Sequence, residues 1–259
     1  MPSRCVPMHD TGWTPAVPGL CAADVVALMR AASGGAGVAA LAPPKVLQGR
    51  HVAVLAPGDH HPSAAVFAGA AQALGAHVSR IALADLAPGD PASAADTARM
   101  LGRLYTVIGC AGLDLKSVTL LRRCSGVPVL HDLAADTHAT RLLADLMTLK
   151  QVLQDAPPNG STRPRLGVCA APGSSLWRAW RKMAAGAGFD VVELGEACAH
   201  GQTAGCHFIC RPGAPPELFA MGRAAAPTPP QAVSLCERQR SNHRLVVQAL
   251  LCNALSARR

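Results

Sequence analysis

Aromatic side chains are scarce in this sequence of 259 residues, which contains one Tyr, four Phe and three Trp. The core therefore cannot depend on stacked rings. Half of the residues are hydrophobic, and Ala, Leu and Val dominate among them. Small aliphatic side chains of this kind favour tightly packed α/β layers. The chain length fits one large domain or two modest ones.

Lysine is also rare, so the formal net charge of +8 comes mainly from arginine. A basic balance can indicate a nucleic-acid partner or an anionic ligand. The arginines are scattered, and no basic stripe with interleaved aromatic residues is present. We therefore expect a small anionic ligand rather than nucleic acid.

Long apolar runs are absent, because no stretch of about twenty apolar residues occurs. The first residues also lack the apolar segment of a signal peptide. We expect no membrane span and a cytoplasmic location. The ten cysteines are irregularly spaced without a Cys-x-x-Cys pair, and reduced thiols are expected.

Cysteine and histidine recur near the end of the second half, which raises the alternative of a metal site. The residues concerned are Cys198, His200, Cys206, His207 and Cys210. If 206–210 is a strand, Cys206 and Cys210 lie about 13 Å apart, too far for shared tetrahedral coordination. We expect neither a metal nor another cofactor.

The hydrophobic pattern predicts alternating strands and helices after an irregular arm at 1–20. The first predicted block has a helix at 21–32 and then strands at 51–55, 77–83, 106–110 and 127–130, with helices at 63–74, 96–105, 115–124 and 140–154. The second has strands at 165–170, 189–194 and 206–210, a helix at 174–187, irregular residues 211–231 and a closing helix at 232–255. Such alternation predicts parallel sheets in two α/β domains.

Four stretches together resemble the aspartate/ornithine carbamoyltransferase family, and ornithine carbamoyltransferases most of all. The longest is DTARMLGRLY followed by SGVPVLHDLAADTHATRLLADLMTLKQ, between Asp96 and Gln151. The second part is similar to the family pattern GVPV-x-(N/D)-x-L, then H-P-T-Q-x-L-A-D-L-x-T. Weaker similarity lies in 67–77, 165–194 and 241–250.

The resemblance implies two three-layer α/β domains with parallel sheets, the second domain reduced. We expect a carbamoyl-phosphate-binding-like domain at 1–155, an amino-acid-binding-like domain at 164–230, and a helix at 231–259 that returns to the first domain. The implied reaction moves a carbamoyl group from carbamoyl phosphate to an amino-acid amine without a cofactor. A homo-oligomer, commonly a trimer in the family, is implied as well.

The family's phosphate loop, Ser-x-Arg-Thr-Arg, aligns with His60, His61, Pro62, Ser63 and Ala64, so both arginines are absent. The resemblance makes His60, His61 and Ser63 the candidate phosphate-binding residues. The alternative is that both histidines lie on an exposed turn. A further phosphate-contacting arginine of the family aligns with Ala111, while Arg103 belongs to the preceding helix and is expected at the surface.

The His-Pro-Thr-Gln motif is half kept, because His138 and Thr140 match whereas Ala139 and Arg141 depart. In the family this histidine donates to the carbamoyl oxygen, so His138 and Arg141 are the candidate catalytic residues. Thr140 is a candidate for binding carbamoyl phosphate. Arg141 would bring a permanent cation to the anion site. The alternative for His138 is a capping or core role where the long helix begins.

Candidate amino-acid-binding residues in the second domain follow from the same resemblance. They are Ser174, Ser175, Cys210 and His243. The family's Gly-Asp-x-x-Asn-Asn turn is replaced here by 170–175, although Ser174 and Ser175 can still cap a helix.

Two functional hypotheses follow. The first is an active carbamoyltransferase in which His138 and Arg141 act on the carbamoyl donor. The second is a non-catalytic relative that binds a partner or a small anion. The missing arginines favour weak or lost ordinary activity, since each lost charge-assisted contact costs on the order of 1.5–3 kcal/mol.

Overall fold

The computed structural model describes residues 25, 27, 45–58, 60–86, 91–155, 163–171, 173–195, 205–213, 217–221 and 232–256. The predicted first helix at 21–32 falls almost entirely outside these residues. Contact clustering divides the chain into two compact units. The four-stranded unit comprises the described residues of Leu41–Ala135 and Val247–Arg259, and the five-stranded unit comprises those of Met1–Ala40 and Asp136–Val246.

The four-stranded unit is built on a parallel sheet in the order β2-β1-β3-β4. Its strands are β1 (His51–Ala56), β2 (His77–Ala82), β3 (Val107–Cys110) and β4 (Val129–His131). Its complete helices are α1 (Pro62–Ala73), α2 (Pro91–Leu104) and α3 (Leu115–Ser125), with a short 3₁₀ turn at Leu83–Leu86. All four strands predicted from the sequence are confirmed here, with ends shifted by a few residues.

Alternation along the strands gives this unit three layers. Leu55, Ile108 and Cys110 pack in one core with α2 and α3. Gly109 faces the other side, where a Cβ atom would lie only 2.6 Å from the Phe67 ring of α1. Since successive strand residues point to opposite faces, α1 covers the face that α2 and α3 leave. The expected three-layer arrangement is therefore present in this unit.

The five-stranded unit has a mixed sheet in the order β6-β5-β7-β8-β9. Its strands are β5 (Arg165–Val168), β6 (Asp190–Glu193), β7 (Phe208–Arg211), β8 (Glu217–Met221) and β9 (Ala232–Ser234). β5, β6 and β7 are parallel, whereas β8 and β9 are antiparallel to their neighbours. The expectation of irregular chain at 211–231 is therefore corrected by β8, and the closing helix begins after β9 rather than at Ala232.

Two helices pack on one face of this sheet. They are α4 (Ala139–Asp155) and α5 (Ser175–Gly186), which share a core with β5 and β7 centred on Trp180. Leu142, Leu146 and Leu149 of α4 are buried in that core. Because α4 packs there, 136–155 group with the five-stranded unit, and the division in the structure differs from the boundary expected at residue 155.

The closing helix, α6 (Cys236–Ser256), contributes to both units. Its residues up to Val246 group with the five-stranded unit, and those from Val247 group with the four-stranded unit. The second grouping agrees with the predicted return of this helix to the first domain. No helix among the described residues is long and apolar enough to span a membrane.

The cysteines differ in state. Cys169 at the end of β5 is disulfide-bonded, which corrects the expectation of reduced thiols at that position. Six others are free: Cys110, Cys124, Cys206, Cys210, Cys236 and Cys252. Burial raises the pKa of the Cys110 thiol to about 12, so this cysteine is protonated at neutral pH and is a poor nucleophile.

Candidate functional site

The turn between β1 and α1 contains the residues that align with the phosphate loop. His61 is the N-cap of α1, and its Nδ1 accepts a hydrogen bond from the Ser63 backbone N–H at 3.3 Å. Pro62 occupies the first helical turn, where its missing N–H has no intrahelical acceptor to lose. His61 thus has a capping role and is half-buried rather than exposed, whereas His60 lies exposed on the turn.

Ser63 is buried and connects α1 to the segment after β4. The Ala134 backbone N–H donates to Ser63 Oγ at 3.1 Å. The hydroxyl therefore holds the first turn of α1 against the segment after β4. Both lie at the carboxyl edge of the sheet, the edge where open α/β sheets bind ligands. This position is compatible with the predicted phosphate contact, although the oxygen already accepts one internal hydrogen bond.

The same edge carries a strained residue that the sequence did not single out. Asp132 has a φ of 45°, in the left-handed region that few non-glycine residues adopt. Its Oδ1 accepts from the Gly112 N–H at 3.1 Å, and its Oδ2 lies 3.0 Å from His131 Nε2. These contacts join the segments after β3 and β4. Ala111, where the family has an arginine, is buried beside them.

A cavity of about 240 Å³ opens beside the first turn of α1. Its lining includes Ala64, in the place of the second arginine of the family loop, together with Arg80 and Asp85. Arg80 therefore supplies a guanidinium group from β2 to this region, while Asp85 brings an opposing charge. Neither residue was identified from the sequence, because the family pattern does not place a ligand contact on β2.

In the five-stranded unit, His138 caps α4 in the same manner as His61 caps α1. His138 Nδ1 accepts from the Thr140 backbone N–H at 3.3 Å and lies 2.7 Å from Thr140 Oγ1. His138 O accepts from the backbone N–H groups of Arg141 and Leu142. With Nδ1 as the acceptor, the remaining ring proton is on Nε2. His138 therefore both caps α4 and keeps an N–H donor on its other ring nitrogen.

Thr140 connects His138 to His243 on α6. Thr140 is fully buried, and its Oγ1 lies 3.5 Å from His243 Nε2. The structure thus brings together three predicted site residues. They are His138, Thr140 from the carbamoyl-phosphate-binding set, and His243 from the amino-acid-binding set. His243 is itself buried, so its predicted contact with an amino acid depends on solvent reaching that ring.

Arg141 is held inside the five-stranded unit by carboxylates. Its side chain is buried, and Nε donates to Asp145 Oδ2 at 3.1 Å. Gln239 Nε2 donates to Asp145 Oδ1 at 2.9 Å, and Gln239 Oε1 accepts from the Leu218 N–H. Burial raises the pKa of Asp145 to about 6, and Arg141 opposes that rise. The predicted free cation at the anion site is therefore an internal ion pair.

A second carboxyl group also interacts electrostatically with Arg141. Burial raises the pKa of Asp136, and the charge of Arg141 acts in the opposite direction. Arg141 therefore influences two carboxyl groups of its own unit. The spacing of Arg141 and Asp145, four residues apart on a helix, was the sequence signal for this pair.

Three predicted amino-acid-binding residues, Ser174, Ser175 and Cys210, lie at the start of α5 or in the core of β7. Ser174 Oγ accepts from the Trp177 N–H at 3.1 Å and so caps α5, as expected for this residue. Ser175 is the first residue of α5. Cys210 is fully buried in β7, and burial raises the pKa of its thiol far above the ordinary value. That environment is typical of a core residue rather than a ligand contact.

Among the residues that the structure describes, no group of three or more His, Cys, Asp or Glu side chains is placed to hold a metal ion. Cys206 precedes β7, which begins at Phe208, so the strand geometry expected for 206–210 is corrected. Cys198 and His200 lie outside the described residues.

Comparison with known proteins relates the first part of the chain to one family. Residues 25–151, close to half of the chain, match the model "Aspartate/ornithine carbamoyltransferase, carbamoyl-P binding domain". A catabolic ornithine carbamoyltransferase 2 of Staphylococcus epidermidis is 38% identical over 109 residues, covering 42% of this chain and 32% of that protein. A catabolic ornithine carbamoyltransferase of Lactococcus lactis is 38% identical, covering 42% and 31%.

Solved structures of ornithine carbamoyltransferases are also similar to this chain. The mitochondrial protein of Coccidioides immitis has a TM-score of 0.49 and 19% identity, covering 73% of this chain and 60% of that one. The protein of Thermus thermophilus has a TM-score of 0.49 and 23% identity, covering 67% and 57%. In the sequence comparisons the chain spans about a third of the length of the curated relatives it matches. Residues 25–151 are therefore similar to the carbamoyl-phosphate-binding domain of the aspartate/ornithine carbamoyltransferase family.

Proposed function

We propose that this chain is a carbamoyltransferase relative in which ordinary transfer from carbamoyl phosphate to an amino-acid amine is weak or lost. The observation behind the proposal is the pairing of Arg141 with Asp145. Arg141 was the cation best placed by sequence to substitute for the two missing loop arginines. Its charge is instead offset by Asp145 within the five-stranded unit, and Pro62 and Ala64 bring no charge of their own to the loop.

The chemistry explains why this loss matters. A bound phosphate dianion needs fixed cations and N–H donors, and charge-assisted contacts are the stronger ones. The carbamoyl carbonyl needs a donor where negative charge develops in the tetrahedral transition state. Because its Nδ1 accepts from the Thr140 N–H, His138 carries its ring proton on Nε2, and it is the residue we propose for that role. The chain thus retains the family's histidine for the carbonyl, whereas it lacks the loop arginines for the phosphate.

Turnover is expected to fall steeply for this reason. Each missing charge-assisted contact costs on the order of 1.5–3 kcal/mol, about 10- to 150-fold in affinity or rate. Two arginines are replaced in the loop and a third at Ala111. Several such losses together lower carbamoyl transfer by several decades.

Citrulline formation tests the proposal directly. The full chain would be incubated with carbamoyl phosphate and ornithine, with His138→Ala as the paired variant. We expect either no citrulline or a very slow rate. Rapid citrulline formation that His138→Ala abolishes would establish an active enzyme and reject the proposal.

A second candidate function is the binding of a small anion without catalysis. It is favoured by the cavity of about 240 Å³ whose lining includes both Arg80 and Ala64. Inorganic phosphate is a suitable probe, and calorimetric titration of the chain and of Arg80→Gln would measure it. Binding that Arg80→Gln abolishes supports this candidate, whereas equal binding by both proteins rejects it. A cytoplasmic location and a homo-oligomer, trimeric by resemblance, stay predictions of the same proposal.

A further inference from the structure

Two histidine rings face each other at the amino edge of the four-stranded sheet. His51 and His77 are register partners at the starts of β1 and β2. Their ring centroids are 5.1 Å apart, and the ring planes differ by 25°. Both residues are exposed. Strands β1 and β2 run parallel, so this edge is opposite to the one that carries His61 and Ser63.

The backbone holds the two side chains in this arrangement. His77 N–H donates to Arg50 O at 2.8 Å, and Thr106 N–H donates to His51 O at 2.8 Å. Both Cα atoms are thus fixed by backbone hydrogen bonds. A metal site gains from ligands that rigid elements hold in position, and here two paired strands hold both ligand-bearing residues.

We propose that His51 and His77 bind one divalent late first-row metal ion, of the class of Ni²⁺, Cu²⁺ and Zn²⁺. Imidazole nitrogen suits these ions, and a metal–nitrogen bond is about 2.0–2.1 Å long. Two nitrogens bonded to one ion therefore lie roughly 3–4 Å apart. The two exposed rings, with centroids 5.1 Å apart, must turn about their side-chain bonds to bring one nitrogen of each to that separation. Water completes the coordination.

The pair is independent of the proposed anion site. From His51 to the end of β1 is a span of about 17 Å at the usual rise per strand residue. Neither histidine belongs to the stretch aligned with the phosphate loop or to the stretch aligned with the His-Pro-Thr-Gln motif. The proposal therefore stands or fails separately from the question of carbamoyl transfer.

Calorimetric titration with NiCl₂ tests the site, using the full chain after all accessible thiols are blocked with iodoacetamide. We expect one Ni²⁺ per chain, and a loss of at least about tenfold in affinity in His51→Gln and in His77→Gln, since a direct ligand matters at least as much as an outer-shell partner. His60→Gln, which removes an exposed histidine outside the pair, is the matched control and should bind as the parent does.

Circular dichroism would verify that each variant is folded, and both substitutions are at exposed positions. A second readout is the thermal midpoint, which Ni²⁺ should raise in the parent and EDTA should restore. Neither pair variant should show that rise. Unchanged Ni²⁺ affinity in His51→Gln and His77→Gln, or an equal loss in His60→Gln, would overturn the proposal.

Discussion

Arg141 Nε donates to Asp145 Oδ2 at 3.1 Å, and both side chains are buried in the five-stranded unit. Gln239 completes the carboxylate's contacts from α6. A buried pair of this kind contributes less through its attraction than it costs when one partner is removed. Arg141, which the sequence suggested as a ligand contact, therefore has a structural role as the partner of Asp145.

Replacing Arg141 should therefore destabilise the protein. Arg141→Gln, which restores the residue type of the family motif, leaves Asp145 buried without its cation. We expect a loss of about 3–5 kcal/mol in the free energy of unfolding at pH 7. Urea denaturation would measure it.

The matched control is Arg99→Gln, because Arg99 forms an exposed ion pair with Asp96. Such surface pairs contribute at most about 1 kcal/mol. Equal small losses in the two variants would contradict the internal role of Arg141.

Asp145 should make stability depend on pH in a defined direction. Burial raises its pKa to about 6 in the folded protein, against about 3.9 for an unfolded aspartate. At pH values between these two pKa values, Asp145 is deprotonated in the unfolded chain but still protonated in the folded protein. The contribution of Asp145 to stability is therefore complete below about pH 4 and is lost as the pH rises through about 6.

Urea denaturation at pH values from 4 to 6.5 would measure this contribution, with Asp145→Asn as the test variant. The variant should lack the part of the decline that Asp145 causes. Asp114→Asn is a useful contrast, because hydrogen bonds from Ser117 lower the pKa of that exposed carboxyl and give the opposite sign. Identical pH profiles for Asp145→Asn and the parent would refute the assignment.

The two roles of His138 can be separated by substitution. Asparagine is a good N-cap, so His138→Asn should keep the stability of α4, whereas His138→Ala should lose about 0.5–2 kcal/mol. Both variants remove the imidazole N–H donor. If citrulline is formed at all, both should reduce it equally; a rate in His138→Asn equal to that of the parent would exclude His138 as the carbonyl donor.

Asn242 should be important for attaching the first half of α6 to α4. Its Nδ2 donates to Thr148 Oγ1 and to Gln151 Oε1, each at 2.9 Å, and the residue is buried. Asn242→Ala leaves these acceptors without a donor and should cost about 1–3 kcal/mol. Ser241→Ala, at the exposed neighbouring position, should change the unfolding free energy little. Thermal or urea unfolding of the two variants makes the comparison.

The sequence predicted regular elements where local signals and burial agree. β1 and β3 are short apolar runs that are almost wholly buried, and His61-Pro62 marks the start of α1. α2 begins at Pro91, five residues before the predicted start at Asp96, because proline is well tolerated in a first turn. β8 was missed because its pairing with β7 is antiparallel and its flanks are rich in Pro and Ala.

The candidate site was less predictable, because burial of charge depends on tertiary partners. The capping role of His138 was weighed from its position before a helix. The i,i+4 spacing of Arg141 and Asp145 is visible in the sequence, but the contact of Gln239 with Asp145 joins residues 94 positions apart, which one sequence does not reveal. Arg80, on the strand β2, lines the same cavity as Ala64. No sequence motif predicts that these two residues lie at one cavity.

The central claim is that the loop before α1 lacks the guanidinium groups needed to hold a phosphate firmly. Calorimetric titration with carbamoyl phosphate should compare the parent chain with the double variant Pro62→Arg/Ala64→Arg, which restores the family's two arginines. We predict weak or undetectable binding by the parent and an affinity at least about tenfold higher in the double variant, since even one charge-assisted contact is worth that much. The claim would be contradicted if the parent bound carbamoyl phosphate firmly and the two arginines did not increase its affinity.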